Sequence, residues 1–117
     1  MKHTVSLKQN HEFRRLYNKG KSAASPYMAI YCRKNRRTES RLGLTTGVKL
    51  GNAVRRNRVR RRLREVYRTN EHRLLPGWDL VIVARVKSVF AHYGDLERSF
   101  LALARKLELL APVEEEP

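Results

Sequence analysis

The chain has 117 residues, 41% of them hydrophobic, which fits a single domain with one modest core. Its 26 Lys and Arg against 11 Asp and Glu leave a formal charge of +15, a self-repulsion that a polyanionic partner relieves. A lone cysteine excludes an internal disulfide, the first residues hold no apolar signal-peptide core, and apolar runs such as residues 80–84 are too short to span a bilayer, so a cytoplasmic protein is expected.

In chain order, residues 10–19 read as a short helix. Asn10 can cap it, Phe13, Leu16 and Tyr17 share one side, and Gly20 suits the position after its end. Residues 27–34 (YMAIYCRK) read as a strand with Tyr27 and Tyr31 on one face and a packed Cys32. Residues 35–40 form a charged turn. Residues 41–49 read as a second strand, with Leu42, Leu44, Thr46 and Val48 on one face and Gly43, Thr45, Gly47 and Lys49 on the other. Two glycines on one face mark the close approach of another element. Residues 52–69 read as a helix, Pro76-Gly77 as a turn, and residues 79–85 (DLVIVAR) as a central strand buried on both faces. Asp95 is expected to cap a last helix with the stripe Leu96, Phe100, Leu103, Leu107 and Leu110, stopped by Pro112. The order α-β-β-α-β-α, with a helix between two strands, predicts an open sheet with helices packed on it. No repeat or linker divides the chain. Residues 1–113 are expected to form one domain that binds the polyanion, and residues 114–117 a short acidic, disordered tail.

The charge is uneven. Residues 1–94 hold 23 basic and 5 acidic side chains, whereas residues 95–117 hold 3 and 6, so the polyanion is expected to engage the first four-fifths of the chain. Eight arginines fall between Arg55 and Arg68. Gly51-Asn52 supplies a turn and an N-cap, and at 100° per residue Val59, Leu63 and Val66 form an apolar stripe with Tyr67 at its margin. Asn57, Arg61, Arg64 and Arg68 lie opposite. Arg58 and Arg60 flank that row, while Arg55, Arg56 and Arg62 fall nearer the core. Like charges four apart disfavour a helix by about 0.2–0.5 kcal/mol per pair, and only Glu65, four residues after Arg61, offers relief. An anion pairing with the row removes this frustration, and the planar guanidinium suits phosphate because it donates two hydrogen bonds at once. Ordinary solvated faces mix signs, and a membrane-surface helix needs a wider apolar side than this one.

No catalytic constellation is legible. His3, His11, His72 and His92 are scattered without metal-ligand spacing, and no nucleophile–base pair or phosphate loop is present. The acids are too few and too separated for a two-metal nuclease site. The readings left open by composition are an RNA-binding accessory factor, a ribosomal or RNA-chaperone protein, a protein nuclease, and a DNA-binding helix. The last would carry more arginines than base readout needs.

Gly51-Asn52-Ala53-Val54, then Arg56-Asn57-Arg58, Arg61 and Arg64-Glu65 resemble the signature of the bacterial ribonuclease P protein subunit. Phe13, Tyr17 and Gly20, Arg41-Leu42-Gly43-Leu44, and residues 79–85 match the same family pattern in order, over roughly residues 8–110. One departure is Val48, where the family usually has a basic residue before Lys49. The resemblance implies an α/β (α+β) two-layer sandwich with a small mixed sheet and a left-handed β-α-β crossover. It implies a catalytic RNA that uses Mg²⁺ to cut the 5′ leader from precursor tRNA, and a protein that raises substrate and metal affinity while holding no cofactor and needing no protein partner. Its RNA-subunit face would comprise Lys49, Asn52, Arg55, Arg56, Asn57, Arg58, Arg60, Arg61, Arg64 and Arg68. A leader-binding cleft would comprise Phe13, Arg14, Tyr17, Tyr27 and Tyr31. Aromatics beside cations, here Arg14, Arg15 and Lys49, are what single strands need, since bases stack on rings for about 1–3 kcal/mol each.

Overall fold

The computed structural model describes Met1 and residues 3–112. The expected acidic tail lies outside the described residues. Eight regular elements follow in order: β1 (Thr4–Ser6), α1 (Asn10–Lys19), β2 (Lys21–Ala24), β3 (Met28–Lys34), β4 (Ser40–Thr45), α2 (Ala53–Asn70), β5 (Trp78–Ala84) and α3 (Tyr93–Lys106). Three 3-10 turns join them, at Val48–Leu50, Glu71–Arg73 and Val86–Phe90.

The strands form one mixed sheet in the order β1-β4-β5-β3-β2. β4 and β5 are adjacent and parallel, joined through α2, so the helix between two strands is the expected crossover. β3 runs antiparallel to β5, with Ile30 opposite Ile82 and Tyr31 opposite Val81. The near-continuous apolar run of β5 is explained by its central place: Leu80 and Ile82 enter the larger core, and Val81 enters the smaller one. α2 and α3 cover the first face through Val59, Leu63, Val66, Tyr67, Leu96 and Phe100, all fully buried. α1 covers part of the other face through Leu16, which packs with Leu7 and Val81.

Several expectations are corrected. Strands β1 and β2 were not foreseen: three residues and the run KSAA carry no readable alternation, and both lie at sheet edges. β3 begins at Met28, so Tyr27 precedes the strand and packs against the larger core, apart from Tyr31. The second predicted strand stops at Thr45, and residues 48–50 turn in a 3-10 helix that leaves Val48 exposed. α1 is capped by Gln9 without a side-chain bond, and α3 by His92, while Asp95 pairs instead with Arg98 one turn on. α3 ends at Lys106, because Glu108 adopts a positive φ and turns the chain back. Leu107 and Leu109 are still buried. Gly20 is extended rather than left-handed. Its need for no side chain is steric, since a Cβ would stand 2.6 Å from the Leu16 carbonyl oxygen.

Candidate nucleic-acid interface

The start of α2 is built as its sequence predicts. Gly51 has φ of 120°, a conformation that L side chains rarely adopt. The Asn52 side chain then accepts a hydrogen bond from the Arg55 N–H at 3.0 Å and caps the helix. Docking of the apolar stripe on the sheet fixes which arginines face water. Asn57, Arg58, Arg61, Arg64 and Arg68 are exposed, and Arg56, Arg60 and Arg62 are half-buried.

These guanidiniums divide into two sets. Arg60 donates to the Thr46 hydroxyl and Arg62 to the Ala91 carbonyl, both at 2.8 Å, so each is fixed by the protein. Arg68 pairs with Glu65, which its hydrogen bonds hold below the usual carboxylate range; the expected relief of Arg61 by Glu65 is not formed. Arg58, Arg61 and Arg64 have no hydrogen bond or ion pair among the described residues. They form a patch of unneutralised donors. Lys49 is exposed on the adjoining 3-10 turn, and Arg55 lies over the Phe90 ring at 5.9 Å.

The second surface is a cleft of about 540 Å³ between α1 and the end of β4, lined by Asn10, Phe13, Arg14, Tyr17, Leu44 and Thr45, with Thr46 and Arg60 completing it. Tyr17 is 39% exposed. Its hydroxyl lies 3.3 Å from that of Thr45, and its ring meets Tyr31 edge-on at 4.9 Å. Phe13 is half-buried, with one side on the small core and an edge on the cleft. Phe13, Arg14 and Tyr17 are thus brought together as predicted, with Tyr31 behind Tyr17. Tyr27 is not among them, and Lys49 lines a neighbouring hollow instead. Arg60, expected on the α2 face, turns into the cleft instead. Asn10, Leu44, Thr45 and Thr46 join it there and carry no signal in the sequence until α1 is laid across the sheet.

What holds α1 there is legible in atomic detail. Arg41 on β4 donates to Glu12 of α1 at 2.8 Å and forks onto both carboxylate oxygens of Asp79 on β5. Burial pushes the Asp79 carboxyl up, but hydrogen bonds from Arg41 and Asn35 outweigh it and hold the group below its ordinary value. Arg41 is raised above its own, chiefly by the Asp79 bond. One residue along, Phe13 lies across Gly43, where a Cβ would stand 2.6 Å from the ring. Gly43→Ala must therefore displace Phe13, at a cost of about 1–3 kcal/mol in urea unfolding. Phe13→Leu in the same background should recover part of that loss. An unchanged midpoint in the single variant would contradict the packing.

Among the described residues no group of three or more His, Cys, Asp or Glu is placed to hold a metal ion. Cys32 is wholly buried, and burial pushes its thiol up against the opposing effect of Lys21, so it packs as a small apolar group.

The comparisons with known proteins agree with this architecture. The family model for Ribonuclease P matches residues 1–108. The ribonuclease P protein component of Natranaerobius thermophilus is 40% identical over 110 residues, covering 94% of this chain and 96% of that one. That of Clostridioides difficile is 40% identical over 107 residues, covering 91% and 94%. Among solved structures, the Staphylococcus aureus RNase P protein superposes with a TM-score of 0.83 at 28% identity, over 92% of this chain and 98% of that one. The Thermotoga maritima RNase P protein gives 0.78 at 30% identity, over 86% and 96%. With its family model matched nearly end to end and its fold shared, the chain belongs to the ribonuclease P protein family, the protein component of the RNA-based enzyme that matures the 5′ end of tRNA.

Proposed function

We propose that this chain binds the ribonuclease P RNA through the arginine face of α2, and the single-stranded 5′ leader of precursor tRNA in the cleft between α1 and β4. The observation that carries the reading is the contrast between the two surfaces. One is a row of guanidiniums in which Arg58, Arg61 and Arg64 have no partner among the described residues, suited to a phosphate backbone. The other is an aromatic cleft with cations at its rim, suited to unstacked bases. Arg60 links them, since it leaves α2 and ends in the cleft. The Mg²⁺ and the cleavage chemistry belong to the RNA. The protein's contribution is electrostatic: it neutralises phosphates, and so raises the affinity of the RNA for substrate and metal. We place the reaction in the cytoplasm, with the RNA subunit and its precursor-tRNA substrate. Among the described residues no helix is long and apolar enough to cross a membrane.

The test is cleavage of precursor tRNA at low Mg²⁺ by a bacterial ribonuclease P RNA, with and without this protein. Correct 5′ ends only when both are present support the assignment. No effect of the protein moves a ribosomal or chaperone role ahead, and cutting by the protein alone overturns the division of labour. Tyr17→Ala should weaken binding of leader-bearing substrate by about 5- to 150-fold, one stacked base, while leaving affinity for the RNA subunit unchanged. Equal losses on both ligands would contradict two separate surfaces.

A further inference from the structure

Seven large apolar residues are exposed among the described ones, and four of them, Val48, Val54, Val86 and Phe90, belong to three segments that pack on one another. These are the 3-10 turn Val48–Leu50, the first turn of α2, and the 3-10 turn Val86–Phe90. Single exposed apolar residues are ordinary, but a cluster of them marks a contact surface. Phe90 is 77% exposed, and neither of the two surfaces described above uses its ring.

The surroundings decide the partner. The Arg55 guanidinium lies 5.9 Å from the centroid of the Phe90 ring and leaves most of the ring open to water. Beside it Val48, Lys49, Arg85 and Val86 line a hollow of about 550 Å³, and Lys87 is exposed on the same turn as Phe90. No acid occurs in residues 40–64 or 80–94, the segments that form the patch. A second copy of the chain would bring like charge against like. An anionic partner with flat apolar groups fits both the ring and its rim.

We propose that Phe90 is a stacking platform for an unpaired base of the ribonuclease P RNA, with Arg55 against the ring and Lys49, Arg85 and Lys87 receiving the neighbouring phosphates. A base has a π-face whatever its sequence, and an aromatic ring backed by a guanidinium accepts it in offset geometry. The RNA subunit is the source, rather than the leader, because Arg55 is exposed at the start of α2 one turn before Arg58 and so adjoins the arginine face, whereas neither Arg55 nor Phe90 lines the cleft. The proposal rests on the assignment of that face to the RNA subunit.

The experiment is the affinity of the full chain for ribonuclease P RNA, measured for Phe90→Ala, Phe90→Leu, Phe90→Trp and an Arg61→Ala, Arg64→Ala double variant. Thermal unfolding checks that the exposed substitutions leave the fold unchanged. Phe90→Ala and Phe90→Leu should each lose about 5- to 150-fold, while Phe90→Trp binds as tightly as the parent. If the Phe90 variants bind normally and only the double variant is weakened, the platform is overturned and the arginine face stands. If neither weakens binding, the arginine-face reading fails and takes the platform with it. If Phe90→Leu matches the parent while Phe90→Ala does not, the contact is with apolar area and stacking is overturned. If loss of Phe90 spares RNA binding but abolishes self-association in sedimentation, the patch serves a second copy and the proposal falls.

Discussion

Changing Arg61 and Arg64 together to alanine should lower affinity for the ribonuclease P RNA by about 100-fold, roughly tenfold for each charge-assisted phosphate contact. Both side chains are exposed and neither has a partner among the described residues, so their removal takes away no native contact. It also relieves like-charge pairs along α2, each worth about 0.2–0.5 kcal/mol, so stability should rise slightly as affinity falls. This opposition of signs separates an interface from a structural role: a structural arginine loses both together. Arg68→Ala should cost less affinity than Arg64→Ala, because Glu65 already neutralises Arg68 within the helix.

The same variants make a prediction about salt. Five exposed cations, Lys49, Arg55, Arg58, Arg61 and Arg64, make no ion pair among the described residues. If each neutralises one phosphate, the parent loses roughly 250-fold in affinity between about 50 and 200 mM salt, and the double variant's slope is shallower by about 1.6. Titration by fluorescence anisotropy at several salt concentrations measures both slopes. A nearly flat parent would sink the model.

The arginine face was legible because a helix converts sequence spacing into direction. The stripe Val59, Leu63 and Val66 fixes one side of α2, and Arg61 and Arg64 must then lie on the other. The centre of the sheet was legible for a similar reason, since seven nearly unbroken apolar residues fit only a strand covered twice. The edges were not. β2 is a run of small and polar residues held by pairing with β3, and its Lys21 ties back to the Leu107 carbonyl 86 positions away. The cleft was half legible. Phe13 and Tyr17 announce themselves by spacing, whereas Thr45, Thr46 and Arg60 converge only through tertiary packing. Tyr27 shows the limit of period-two reasoning: a strand that begins one residue later than predicted frees the residue before it from the alternation. Arg41 and Asp79 are ordinary charges in sequence. Only the parallel register of β4 and β5, which sets Arg41 directly opposite Asp79, makes them partners.

That pair carries a large stability effect. Arg41→Ala should destabilise the fold by about 2–3 kcal/mol, or roughly 10 °C in Tm, less than a fully buried pair because both side chains keep some contact with water. The sign of its pH dependence follows from Asp79. The folded carboxyl sits below its ordinary value, so its contribution is present above about pH 4 and is lost as pH falls through the lower folded value. Without Arg41 the burial that raises Asp79 is left opposed mainly by Asn35. The gap between parent and variant should therefore be widest near neutral pH and close in acid; a gap constant across the titration would contradict the ion pair as its cause. The consequence reaches the cleft, because the other arm of Arg41 holds Glu12 on α1, next to Phe13. Glu12→Gln keeps a hydrogen-bond acceptor but removes the charge, which loosens α1 without disturbing α2. It should weaken leader binding several-fold and leave affinity for the RNA subunit unchanged, whereas equal losses would mean that the cleft and the arginine face are mechanically one surface.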